Sequence, residues 1–237
     1  MKAIKMKTPL YVILLFFLFS LSAQGQERKE TLNLGDFDEV HLGTSGKVFI
    51  KQGNKTEVIL QASERRKERL EIEVRGHKLH IGNKRGWSWK GWNSDEDLTV
   101  YVTVKEIDAL KVSSSGKIIG QGILRTNDLN LAVSGSGRID IETEAGDIES
   151  AISGSGRIEV TGKSEYNSVR ISGSGKLIAE DLVGEEYDIA VSGSGNCKIN
   201  VSKRIEARIS GSGKVYYRGN PDRVNSSVSG SGSVRKI

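Results

Sequence analysis

The 237-residue chain carries 35 Lys and Arg against 30 Asp and Glu, with one cysteine and two prolines. A single thiol excludes a disulfide framework, and two prolines exclude a Pro-rich linker between domains. Three lysines belong to an N-terminal leader, and without them 32 basic residues face 30 acidic ones. That balance is too even for a nucleic-acid surface.

Residues 1–25 have the layout of a signal peptide. Lys2, Lys5 and Lys7 precede an apolar run from Leu10 to Ala23, and Ala23 and Gly25 are the small residues needed for cleavage before Gln26. The run is short for a spanning helix, although an uncleaved anchor is the alternative. No Cys follows it for lipidation. The expected destination is outside the cytoplasm: the periplasm, the outer-membrane surface or the medium. The rest, 26–237, suits one continuous domain.

Residues 26–111 alternate in short stretches: Lys47–Gly53, Thr56–Ala62, Leu70–Val74, Lys78–Gly82 and Leu98–Val104. They are expected to form strands that open and cap the fold. Ser63–Leu70 fits one helical turn or a loop, and its charges suit a wet surface. All three tryptophans, Trp87, Trp89 and Trp92, fall in one Gly-bounded stretch followed by Asn-Ser-Asp-Glu-Asp. This loop would either plug the end of the fold or offer an aromatic platform to a sugar or cation.

From residue 112 to 237 one word dominates. Ser-Gly-Ser-Gly begins at residues 134, 153, 172, 192, 210 and 229, so the spacing stays between 18 and 20. A degenerate copy spans Val112–Ile119, and Gly43–Ile50 is a more worn one. A period this short suits a solenoid, because a propeller blade needs roughly 40 residues. Read with period two, Leu131, Val133, Gly135, Gly137, Ile139 and Ile141 share one face, and the serines share the other. On that reading the word lies within a strand, with both glycines inward. Identical strands at equal intervals stack most simply in parallel and in register. The expected fold is all-β, a right-handed parallel β-helix (β-solenoid) with rungs of about 19 residues. Two inward ladders follow, Val133–Ile152–Ile171–Val191–Ile209–Val228 and Ile139–Ile158–Leu177–Cys197–Val215–Val234. Cys197 then counts as a small buried hydrophobe.

The leader, Phe37–Gly53, Leu98–Ile118 and the glycine–serine words that follow are together similar to a known family. The chain resembles the putative auto-transporter adhesins with the head GIN domain, exported proteins of Bacteroidetes-type bacteria, over nearly all of its mature length. The resemblance implies a β-helical fold and adhesion, and it supplies no catalytic residues to transfer.

Enzymatic chemistry has no visible carrier. Asp140 and Glu159 occupy equivalent outward positions beside Arg138 and Arg157, but later rungs put Ile178, Lys198 and Tyr216 there. Ordinary surface pairing accounts for them. The histidines His41, His77 and His80 show no triad order or zinc-ligand spacing. No cofactor is expected. Lys117, Arg138, Arg157, Lys176, Asn196 and Lys214 form one outward ladder. Its long side chains would either shield a sheet edge or grip acidic glycans. The expected function is a non-enzymatic exported adhesin or surface-interaction module that contacts a cell-surface glycan or protein. Trp87, Trp89, Trp92, Arg138, Arg157 and Lys176 are the candidate contacts. The alternatives are a polysaccharide-active enzyme with an unrecognised site, and an envelope module that forms homo-oligomers through the solenoid ends.

Overall fold

The computed structural model describes residues 29–84 and 98–237. The N-terminal part contains β1 (Lys29–Leu32), β2 (Glu39–Leu42), β3 (Lys47–Gln52), β4 (Glu57–Ala62), helix α1 (Glu64–Arg69), β5 (Leu70–Arg75), β6 (Lys78–Asn83), β7 (Leu98–Val104) and β8 (Ala109–Val112). Five long strands follow: β9 (Lys117–Gly135), β10 (Arg138–Gly154), β11 (Arg157–Gly173), β12 (Lys176–Gly193) and β13 (Asn196–Gly211). Then come β14 (Lys214–Arg218), β15 (Arg223–Ser229) and β16 (Ser233–Lys236).

The long strands pair in parallel, with residues opposite their equivalents one repeat later, as in Ile139 with Ile158 and Ile152 with Ile171. The register shifts only between the serine words, at Asp140/Glu142, Glu159/Gly162, Ala179/Val183 and Gly184/Glu186. The result is a parallel β-solenoid of about seven turns with rungs of about 19 residues. Both expected ladders form, because matched apolar side chains stack at the rung spacing of about 4.8 Å. Each rung has two arms. In β10 Ile139, Ile141 and Thr143 point inward from one arm, and Ile148, Ser150 and Ile152 from the other. The inward set changes from odd to even numbers across residues 144–147, which marks the corner opposite the serine words. Two inward hydroxyls are paired, Thr143 Oγ1 donating to the Leu124 carbonyl at 2.7 Å and Ser164 Oγ to Asn167 Oδ1 at 2.9 Å, whereas the buried Tyr187 hydroxyl has no hydrogen-bond partner among the described residues.

The Ser-Gly-Ser-Gly word is itself a corner, which corrects the reading of it as strand interior. Each long strand ends on the first glycine of a word, and the next begins after the second. The first glycine, Gly173 for example, has φ +104 and is exposed. Only the second points inward: a Cβ on Gly175 would lie 2.3 Å from Ile152 Cγ2 in the preceding rung. Backbone pairing continues around the bend, since Ser174 N–H donates to Gly154 O at 2.9 Å and Lys176 N–H to Gly156 O at 3.0 Å. The worn words hold the same corner, with Lys117 N–H donating to Gly46 O at 2.9 Å.

Stacking order departs from chain order at the N-terminal end. The coil β2–β3 lies between β6–β7 on one side and β8–β9 on the other, all parallel. Three further strands run antiparallel on the outermost coil: β5 on β6, β4 on β7, and β1 on β4. The Ser63–Leu70 segment is a helical turn capped by Ser63, and one of its charges is not wet. Arg66, 5% exposed, donates to Thr44 Oγ1 at 2.7 Å, Ser45 O at 3.2 Å and Asn83 Oδ1 at 3.2 Å, tying α1 to two coil corners.

Candidate functional site

The repeated corners line up into one long edge. At its apex sit the second serines of the words, Ser136, Ser155, Ser174 and Ser212 among them, all exposed. On one flank, register pairs place Lys47, Lys117, Arg138, Arg157, Lys176, Asn196 and Lys214 in a single file. The expected basic ladder therefore exists and extends one coil further, to Lys47. Arg138 donates to Asp140 at 3.0 Å and to Glu159 at 2.7 Å, so the acidic pair serves as its counter-charge. Among the described residues no carboxylate pairs with Lys117, Arg157, Lys176 or Lys214. Two like charges about 4.8 Å apart repel by about 1 kcal/mol in water. The file is thus a strip of partly uncompensated positive charge beside a row of hydroxyls.

On the other flank runs a groove of about 750 Å³ lined by the first serines of the words and by Ala132, Ala151 and Ala190. Arg170 and Arg208 also line it, but both lie back against acids: Arg170 on Glu149 at 2.6 Å, Arg208 on Asp188 at 3.1 Å and on Glu206. At the head of the groove are His41, Lys111 and Ser113. His41 Nε2 lies 2.8 Å from Ser113 Oγ, and its Nδ1 lies 3.3 Å from His80 Nδ1. Burial, reinforced by His80, Lys78 and Lys111, holds the His41 imidazole below its ordinary pKa. His77 lies apart from this pair, at the hairpin turn before β6.

Trp87, Trp89 and Trp92 lie outside the described residues. Of the other candidates, Arg138, Arg157 and Lys176 are brought together on successive rungs. The outward file containing Asp140 and Glu159 continues as Ile178, Lys198 and Tyr216, so the acids do not converge into a larger cluster. Among the described residues no group of three or more His, Cys, Asp or Glu is placed to hold a metal ion. The groove and the His41–His80 pair had no sequence signal: they depend on which coil lies on which.

These features define a parallel β-solenoid with one continuous serine edge. The family described as "Putative auto-transporter adhesin, head GIN domain" matches residues 36–221, and the chain belongs to it. Solved structures with a similar fold include the following. A putative adhesin from Bacteroides fragilis is 18% identical, with a TM-score of 0.80 over 89% of this chain and 96% of its own. A putative lipid binding protein from Parabacteroides distasonis is 23% identical, with a TM-score of 0.73 over 90% and 98%. A putative adhesin from Parabacteroides merdae is 20% identical, with a TM-score of 0.71 over 90% and 97%. No curated protein matches the chain. The family points to an exported or surface protein of adhesin type. No helix among the described residues is long and apolar enough to cross a membrane.

Proposed function

We propose that the chain is a non-enzymatic adhesin-type module outside the cytoplasm that holds an acidic glycan along its serine edge. One observation carries this: Lys117, Arg157, Lys176 and Lys214 stand in register without carboxylate partners among the described residues, beside a row of exposed serines. A polyanion laid along the file relieves the repulsion between rungs, and the hydroxyls supply neutral hydrogen bonds. Arg138, Arg157 and Lys176 are the central contacts, and Trp87, Trp89 and Trp92 would stack on sugar rings. A glycan array tests the reading. Carboxylated or sulfated glycans should bind, less well at high salt, and Arg157→Glu with Lys176→Glu should abolish binding. Replacing the three tryptophans together by Ala reports their contribution. Absence of binding to every acidic glycan overturns the proposal.

A second reading rests on the lowest described rung. Val224 and Val228 continue inward ladders yet are 40% and 41% exposed. Association of two copies through this face would cover them. Sedimentation should then show a concentration-dependent dimer that Val228→Lys abolishes.

A further inference from the structure

We infer that His41 and His80 form a two-imidazole chelate for a late first-row divalent cation such as Cu²⁺, Ni²⁺ or Zn²⁺. The two residues are direct register partners on the parallel strands β2 and β6. Their rings lie 5.2 Å apart between centroids, tilted by 56°, with the Nδ1 atoms 3.3 Å apart. Two nitrogens on a tetrahedral ion such as Zn²⁺ at about 2.05 Å are about 3.3 Å apart, so the bite is already set for that geometry. At this separation two ring nitrogens cannot both turn lone pairs on each other. Either a proton or a cation must lie between them.

Two further contacts fix the rings. His41 Nε2 meets Ser113 Oγ at 2.8 Å, which leaves Nδ1 as the nitrogen facing His80. An outer hydrogen bond of this kind is what orients a metal-bound imidazole. The His80 ring fills the space where Gly82 lacks a side chain: a Cβ there would lie 2.5 Å from His80 Nε2. Lys78 and Lys111 flank the pair and oppose a dication, but both pair with Glu39, at 3.4 and 3.1 Å, which offsets part of their field. The remaining coordination positions belong to water or to an oxygen of a ligand arriving from the groove. Imidazole donors place Cu²⁺ ahead of Ni²⁺ and Zn²⁺ once the rings close to the spacing of about 2.9 Å that tetragonal coordination needs.

The test is titration of the untagged full chain with Cu²⁺ and with Zn²⁺, followed by calorimetry and, for Cu²⁺, by electron paramagnetic resonance. One equivalent should bind, Cu²⁺ more tightly, with two-nitrogen hyperfine structure. His41→Ala and His80→Ala should each weaken binding by roughly tenfold or more. Gly82→Ala should do the same while keeping both imidazoles, because its methyl displaces the His80 ring. His77→Ala should bind as wild type does. His80→Gln repeats the measurement should the alanine variant lose its β-sheet circular dichroism. Absence of saturable one-to-one binding overturns the proposal, as does a His41→Ala/His80→Ala double variant that binds as tightly as wild type. A Gly82→Ala protein of unchanged affinity also overturns it.

Discussion

Replacing Gly173 by Ala should destabilise the column at one corner. Its φ of +104 lies where L side chains are strained, by about 1–3 kcal/mol. The added Cβ would also stand 2.8 Å from Gly154 O. That carbonyl accepts the Ser174 N–H at 2.9 Å, so it cannot swing aside without weakening a bond worth about 1 kcal/mol. Lower entropy of the unfolded alanine chain returns about 0.4–1 kcal/mol. The net loss is about 2–3 kcal/mol, or a thermal midpoint lower by about 5–10 °C for a domain of this size. Gly122 isolates the backbone component: its φ is +94, and nothing lies within 4 Å of its would-be Cβ. Gly122→Ala should therefore cost less, about 1–2 kcal/mol. Thermal unfolding by circular dichroism compares the two variants. Because rungs contact mainly their neighbours, amide exchange at Ser174 and Ser194 should accelerate before the distant coils loosen. A Gly173→Ala protein no less stable than Gly122→Ala refutes the account of the corner.

Arg66→Met removes the donors to Thr44, Ser45 and Asn83 and should cost about 1–3 kcal/mol, read as a lower urea midpoint. Burial pushes the Cys197 thiol well above the ordinary thiol range. The folded protein should therefore resist alkylation at mildly alkaline pH and take up one equivalent in denaturant. His41 titrates below its ordinary 6.5 in the folded chain, so the unfolded chain takes the proton first as pH falls. The stability it contributes is present above pH 6.5 and is lost as pH drops toward the folded value. His41→Gln should flatten that part of the stability profile, and an unchanged acid slope would refute the assignment.

The ladders were legible because a period near 19 residues leaves one way to superpose equal strands. Val133 finds Ile152, and Ile139 finds Ile158, without any knowledge of the corners. The corner itself was hidden by parity. Val133, Gly135, Gly137 and Ile139 are all odd-numbered, so alternation continues unbroken through a four-residue word while the chain turns. A positive φ at the first glycine makes the turn, and no side-chain pattern records it. The basic file was legible for the same reason as the ladders. Its counter-charges were only half legible, since Arg138 reaches Glu159 on the next rung as well as Asp140 on its own.

The sequence by itself determined the architecture of residues 112–237, because a repeated amphipathic unit can bury its apolar face only against copies of itself. The tertiary structure alone decided the order of the first coils and the antiparallel strands laid over them. Alternation says that a strand exists and which face it buries, but not which neighbour it hydrogen-bonds. That choice of neighbour puts His80 against His41 and Arg66 beneath Thr44, so both contacts belong to the fold and not to the repeat.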